Sequence, residues 1–150
     1  MISEEHQLFL SYAGEDAFEA SLLQYALENL LAEFPVRVWS YHRDQVSSQR
    51  SIAGSLKERV RGSVATVFLV SPGTMASGAT QWMELAYSDA FEVPTFVLLH
   101  HITYAELRSR EKGVPPLLLE GQCTGAQDWR RVTEDIRKCC RARRASTNRR

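Results

Sequence analysis

Cysteine is scarce and late in this chain: three in 150 residues, Cys123, Cys139 and Cys140. An odd set clustered near one end cannot make a disulfide framework, so a reducing, cytoplasmic compartment is the expectation. No apolar stretch approaches the roughly 20 residues that cross a bilayer. The opening Met1-Ile-Ser-Glu-Glu5 is acidic and lacks the basic-then-apolar order of a signal peptide. Five prolines and eight glycines are scattered, and neither a Pro/Gly-rich linker nor an internal repeat divides the body. What remains is ordinary: 44% apolar and 24% charged residues, the composition of one globular domain with a full core.

Net charge is also absent, but only in the sum. Residues 1–100 hold twelve acids against six bases, and residues 101–150 hold six against twelve. The segment Arg137–Arg150 carries seven bases and no acid. A basic tail can meet nucleic acid or an anionic membrane. With no aromatic residue to stack on bases, this one reads instead as a solvated helix end running into a linker. The expected division is a domain over 1–140 and a basic tail over 141–150, with neither nucleic acid nor membrane as partner.

Short apolar runs alternate with amphipathic ones. Gln7–Tyr12, Val36–Trp39, Val64–Val70, Pro94–Leu99 and the weaker Pro115–Leu119 read as strands. Val64–Val70 is apolar enough for a central parallel strand covered on both faces. Between them, helices are expected over about 16–33, 51–61, 80–90, a short stretch from Thr103, and about 124–141. Asp16 with Glu19, and Thr103 with Glu106, have the form of capping boxes. The first helix should bury Phe18, Leu22, Tyr25, Ala26, Asn29 and Leu30, and the last Trp129, Val132 and Ile136. Strictly alternating strands and helices predict an α/β, flavodoxin-like fold: a five-stranded parallel sheet, order 2-1-3-4-5, with helices on both faces. Ligands bind such sheets beyond the carboxyl ends of the strands at the switch point, here Ser11–Gly14 and Ser71–Gly73.

Several chemistries lack their residues. No Gly-x-Gly-x-x-Gly follows the first strand, and no Gly-Lys-Ser/Thr marks a P-loop. His6, His42, His100 and His101 fall in no zinc-ligand spacing. There is no Gly-x-Ser-x-Gly elbow. The first and third strands end on Ser11-Tyr12 and Val70-Ser71 rather than the acids of a phospho-acceptor regulator. A carboxylate is left, Glu84, early in the helix after the central strand. It lies about 200° around that helix from Trp82, whose stripe with Leu85, Ala86 and Asp89 is expected to pack on the sheet. Two readings stay open from spacing alone: an exposed acid supporting a helix N-terminus, or a carboxylate aimed at the switch cleft. Arg43 and Asp44 are likewise ligand contacts or solubilising charges.

Leu8-Phe-Leu-Ser-Tyr-Ala-Gly-Glu-Asp16 resembles the first signature box of the Toll/interleukin receptor (TIR) domain family. In matching order follow the polar stretch Tyr41–Arg50, Ser51–Leu56, and Val67–Ser71 leading through Ser77 to Trp82-Met-Glu-Leu85, with Trp129 near the start of the last helix. The likeness spans about residues 6–140 and is to the NAD-cleaving, bacterial-type branch. It implies Glu84 as the catalytic residue, and Ser11, Tyr12, Ala13, Arg43, Asp44, Ser77 and Trp82 as the substrate-binding set. NAD is then a substrate, with no metal and no cofactor. The products are nicotinamide and linear or cyclic ADP-ribose. Activation by TIR–TIR association, under a sensor domain or partner in defence signalling, is implied with it. Enzymatic members often carry a tryptophan four residues before the glutamate; this chain has Thr80 there, and Ser47-Ser-Gln49 where a Pro-Gly turn is common. A non-catalytic TIR scaffold and a nucleoside deoxyribosyltransferase-like enzyme are the competing readings.

Overall fold

The computed structural model describes residues 6–34, 36–40, 52–77, 79–110, 113–120 and 122–148. Five strands, β1 (His6–Ser11), β2 (Val36–Trp39), β3 (Ala65–Val70), β4 (Thr95–Leu99) and β5 (Gln122–Gly125), form one parallel sheet in the order β2-β1-β3-β4-β5. The helices are α1 (Ala17–Leu30), α2 (Ile52–Arg61), α3 (Pro72–Ser77), α4 (Ala79–Ala90), α5 (Tyr104–Ser109), α6 (Pro116–Glu120) and α7 (Trp129–Asn148). The flavodoxin-like arrangement and its strand order are as expected from the alternation of elements.

Strand alternation sorts the core into two layers. Leu8 and Leu10, Val67 and Leu69, and Phe96 and Leu98 pack with α1 and α7 through Leu27, Leu31, Val132 and Ile136. On the other face, Phe68, Val70, Val97 and Leu99 pack with Leu85 of α4, Leu107 of α5 and Leu118 of α6. Phe9 and Trp39 continue that face beneath Leu56 and Val60 of α2.

Four expectations fail in detail. Pro115–Leu119 is not the fifth strand: proline at a first helical position loses no hydrogen bond, and Pro116 opens α6, whose Leu118 alone points fully inward. The strand is instead Gln122–Gly125, half-exposed at the sheet edge and therefore without an apolar signature. On α1 the expected stripe is turned outward: Phe18, Leu22 and Tyr25 are 72%, 58% and 59% exposed, while Ala20, Gln24 and Leu27 are buried. Gln24 decides this, because its Nε2 donates to the Val38 carbonyl (2.6 Å) and its Oε1 accepts from Ser40 Oγ (3.1 Å), fastening α1 to β2. Asp16 makes no side-chain cap on α1, whereas Thr103 caps α5 as expected by accepting from Glu106 N–H at 3.1 Å. Finally, α7 does not stop near Arg141 but continues to Asn148 past the core.

Candidate active site

The chain reverses its direction of growth between β1 and β3, and their carboxyl ends are tied by side chains. Ser71, just past β3, donates its hydroxyl to the buried Asp16 carboxylate in the turn after β1. Ser71 Oγ in turn accepts from Gly73 N–H (3.1 Å), and Thr74 Oγ1 accepts from Ser71 N–H (3.1 Å). Asp16 is thus committed to the neighbouring strand end, which explains why it leaves α1 uncapped. A Cβ at Gly73 would stand 2.9 Å from Glu15 Oε2, the tip of an exposed side chain that can move aside.

α4 lies over the same end of the sheet and presents a polar stripe inward. Gln81, Glu84, Leu85 and Ser88 are its buried residues, at the i, i+3, i+4 and i+7 spacing of one helix face. The expected stripe of Trp82, Leu85, Ala86 and Asp89 is correct only at Leu85; Ala86 and Asp89 are exposed and Trp82 is half-buried. Gln81 and Ser88 displaced them because each has a partner on the strands. Gln81 Nε2 donates to the Leu69 carbonyl (3.1 Å), and Ser88 Oγ meets Thr66 Oγ1 at 2.9 Å. These bonds fix the rotation of α4 and so aim Glu84.

Glu84 is only 6% exposed, which excludes the exposed helix-start reading. Burial pushes its carboxyl up to about 8, from an ordinary value of 4.5. Against that shift stands the Ser11 hydroxyl, close enough to favour the charged form. It does not reach ordinary hydrogen-bond geometry, and Ser11 Oγ is buried with no satisfied partner. A desolvated carboxyl beside an unsatisfied hydroxyl is poised to ionise when positive charge arrives.

The other site residues separate. Ala13 is buried and its carbonyl accepts from Asp16 N–H (2.9 Å), so it shapes the turn after β1. Tyr12 follows Ser11 onto the opposite face and packs on the α1–α7 layer. Trp82 packs with the Phe68–Leu85 cluster, one helix side away from Glu84. Arg43 and Asp44 lie outside the described residues; Ser77 ends α3, and its side chain is also outside them. Sequence reasoning missed Asp16, Ser71, Thr74 and Gln81 as the site's framework. Their one signal was polar residues abutting apolar strands. It also missed Trp39, buried at the end of β2, stacked on Phe9 (5.2 Å between centroids), with Nε1 unpartnered.

No group of three or more His, Cys, Asp or Glu able to hold a metal occurs among the described residues, and no helix among them is long and apolar enough to cross a membrane. No family profile and no curated protein matches the sequence. Solved structures do. A metazoan TIR-STING receptor from C. gigas, in complex with 2′,3′-cGAMP, matches at TM-score 0.60 and 18% identity over 89% of this chain and 38% of that one. The TIR domains of the activated Roq1 resistosome, which directly recognizes the pathogen effector XopQ, match at TM-score 0.53 and 20% identity over 70% of this chain and 63% of that one. The chain therefore spans less than two thirds of the length of either. At these identities the likeness is one of fold.

Proposed function

The chain has the fold of TIR domains, and from that premise we propose that it cleaves NAD at the nicotinamide–ribose bond, with Glu84 as the catalytic residue. The observation that carries this is a buried carboxyl at the switch point, held neutral by desolvation and facing an unsatisfied hydroxyl. NAD brings a positively charged nicotinamide ring. Its approach favours ionisation of Glu84, and the carboxylate then stabilises the oxocarbenium character that develops on the ribose. The bond between C1′ and the ring nitrogen breaks, its electron pair passes to the nitrogen, and nicotinamide leaves neutral without a general acid. Water adds at C1′ and releases a proton, giving ADP-ribose; capture by a nucleophile of the same molecule gives a cyclic ADP-ribose. Ser11 and the backbone at Ala13 line the cleft, and Arg43, Asp44, Ser77 and Trp82 are proposed contacts from the resemblance. Self-association activates the domain, under a sensor or partner in cytoplasmic defence signalling.

Incubation with NAD, followed by chromatography of the products, tests this reading with Glu84→Gln as control. Loss of a transition-state carboxylate should lower turnover at least about 10²-fold; retention of a tenth of wild-type turnover would sink the assignment. One observation favours the second reading, a non-catalytic interaction module: the apolar residues exposed on α1. That reading predicts no nicotinamide release at any protein concentration.

A further inference from the structure

Four buried side-chain atoms among the described residues have no hydrogen-bond partner: Ser11 Oγ, Glu19 Oε2, Trp39 Nε1 and Gln81 Oε1. Two of them belong to one place. The carbonyl of Val70 accepts from His100 N–H on the β4 side, so that of Leu69, its neighbour along β3, faces β1. Leu69 lies one residue beyond the last β1–β3 pair, Ser11 with Phe68. Gln81 Nε2 donates to that carbonyl (3.1 Å), which brings the Gln81 amide to the end of β1, where Ser11 stands. Glu84 follows Gln81 by three residues on the same face of α4, about 5–6 Å away between Cβ atoms. Ser11, Gln81 and Glu84 are all buried.

The bond to Leu69 also fixes which end of the amide is left over. An amide nitrogen donates and an amide oxygen accepts, so the nitrogen faces the Leu69 carbonyl and the oxygen is turned away from it. That oxygen can only accept. Ser11 and a protonated Glu84 each carry a donor, and neither bonds it. A buried acceptor without a donor is costly, and the cost is removed when a ligand brings an N–H or O–H.

NAD has such a donor at a matching place. With the ribose C1′ beside Glu84, the carboxamide lies one pyridine ring away, meta to the bond that breaks. That offset is comparable to the one turn of helix between Glu84 and Gln81. We infer that Gln81 determines which base is accepted as leaving group, its Oε1 accepting from the carboxamide N–H of the nicotinamide ring. The inference rests on the NAD reading above and adds to it the selection of the base. A dinucleotide with a carboxylate in place of the carboxamide sets an acceptor and a negative charge against Gln81 Oε1 and Glu84, and is rejected. One with an acetyl group keeps the shape and charge but has a methyl where the donor was, and leaves the amide oxygen unpaired. Whatever uncovers Glu84 to the ribose uncovers Gln81 to the ring, since the two are buried on one helix face.

The test compares NAD with its acetylpyridine and nicotinic acid analogues, in wild type and in Gln81→Met, which keeps the side chain's length without its amide. In wild type, kcat/KM for NAD should exceed that for the acetylpyridine analogue at least about tenfold, and that for the acid analogue about a hundredfold or more. Gln81→Met should make NAD and the acetylpyridine analogue nearly equivalent. A Gln81 that only holds α4 on Leu69 would slow all three alike and leave their ratios unmoved, which overturns the proposal. A wild type that treats NAD and the acetylpyridine analogue alike overturns it too, and decides the matter even if circular dichroism shows Gln81→Met unfolded. Calorimetric binding of the same dinucleotides to Glu84→Gln, with and without Gln81→Met, separates this inference from the reading beneath it. A Gln81-dependent preference for NAD in binding, with no nicotinamide released by wild type, removes the Glu84 chemistry and keeps the carboxamide contact. NAD turnover without preference removes the contact alone, and NAD neither bound nor cleaved removes both.

Discussion

Ser11 and Glu84 face each other across the buried end of the sheet, and neither satisfies the other. The hydroxyl sits on the last residue of β1, the carboxyl on the second turn of α4, and both are inside the protein. The surroundings hold the pair in place: Gln81 and Ser88 anchor α4 on either side of Glu84. Sites that hold such unfavourable groups commonly trade stability for function.

Stability should carry the mark of Glu84. The carboxyl ionises near 4.5 in the unfolded chain and near 8 in the fold. Below 4.5 both states are protonated and its burial is harmless. Between the two values the unfolded chain has released the proton and the folded one has not, so stability falls as pH rises; above 8 the loss levels off. Glu84→Gln is neutral throughout and should lack this fall, becoming more stable than wild type at pH 8 by on the order of 4 kcal/mol. Urea denaturation of both proteins across this range measures it. Parallel curves would show that Glu84 is not desolvated.

Activity should run the opposite way. If the reacting form is the carboxylate, kcat/KM for NAD rises with pH up to about 8, following the free protein. The limb in kcat should lie lower, because bound NAD brings positive charge to the carboxyl. A pH profile already flat at 6 would disconnect turnover from Glu84.

Ser11→Ala separates the two effects. The hydroxyl favours ionised Glu84, so its removal should move the kcat/KM limb to higher pH. The same change deletes a buried, unsatisfied polar group and should raise stability by about 1 kcal/mol. Slower turnover at neutral pH in a protein that melts higher is the expected signature; an unmoved limb would place Ser11 outside the site.

Asp16 and Ser71 should behave as one unit. Asp16→Asn and Ser71→Ala each break the bond between the two strand ends and should cost roughly 1–3 kcal/mol. The double variant should cost little more than either single one, leaving a coupling of about 1–2 kcal/mol in a double-mutant cycle. Additive losses would mean that the two residues act separately.

Trp82→Ala discriminates core from pocket. Half-buried against the Phe68–Leu85 cluster, Trp82 should cost about 2–3 kcal/mol on truncation, below the range for fully buried tryptophan, with little effect on KM. A rise in KM without a change in melting would return Trp82 to the substrate wall.

What the sequence by itself determined is the architecture. Four of the five short apolar runs are strands, and their spacing by amphipathic ones leaves only a parallel sheet with right-handed crossovers; Val64–Val70 announces its own central place by being apolar on both faces. The position of Glu84 after the third strand was legible in the same way, but spacing left open whether it faced solvent or the switch. Tertiary structure alone decided which way the helices turn. On α1 the stripe through Phe18, Leu22 and Tyr25 was the more apolar, yet Gln24 bonds to Val38 and Ser40 and rotates it outward. On α4 the bonds of Gln81 and Ser88 outweigh the exposure of Ala86 and Asp89. β5 was invisible because an edge strand with one neighbour needs no apolar run, and α6 was misread because a buried leucine looks alike in either element. Hydrophobic periodicity reports only which residues prefer to leave water. A polar side chain follows them inside wherever a strand offers it a partner, and that offer depends on residues distant in sequence.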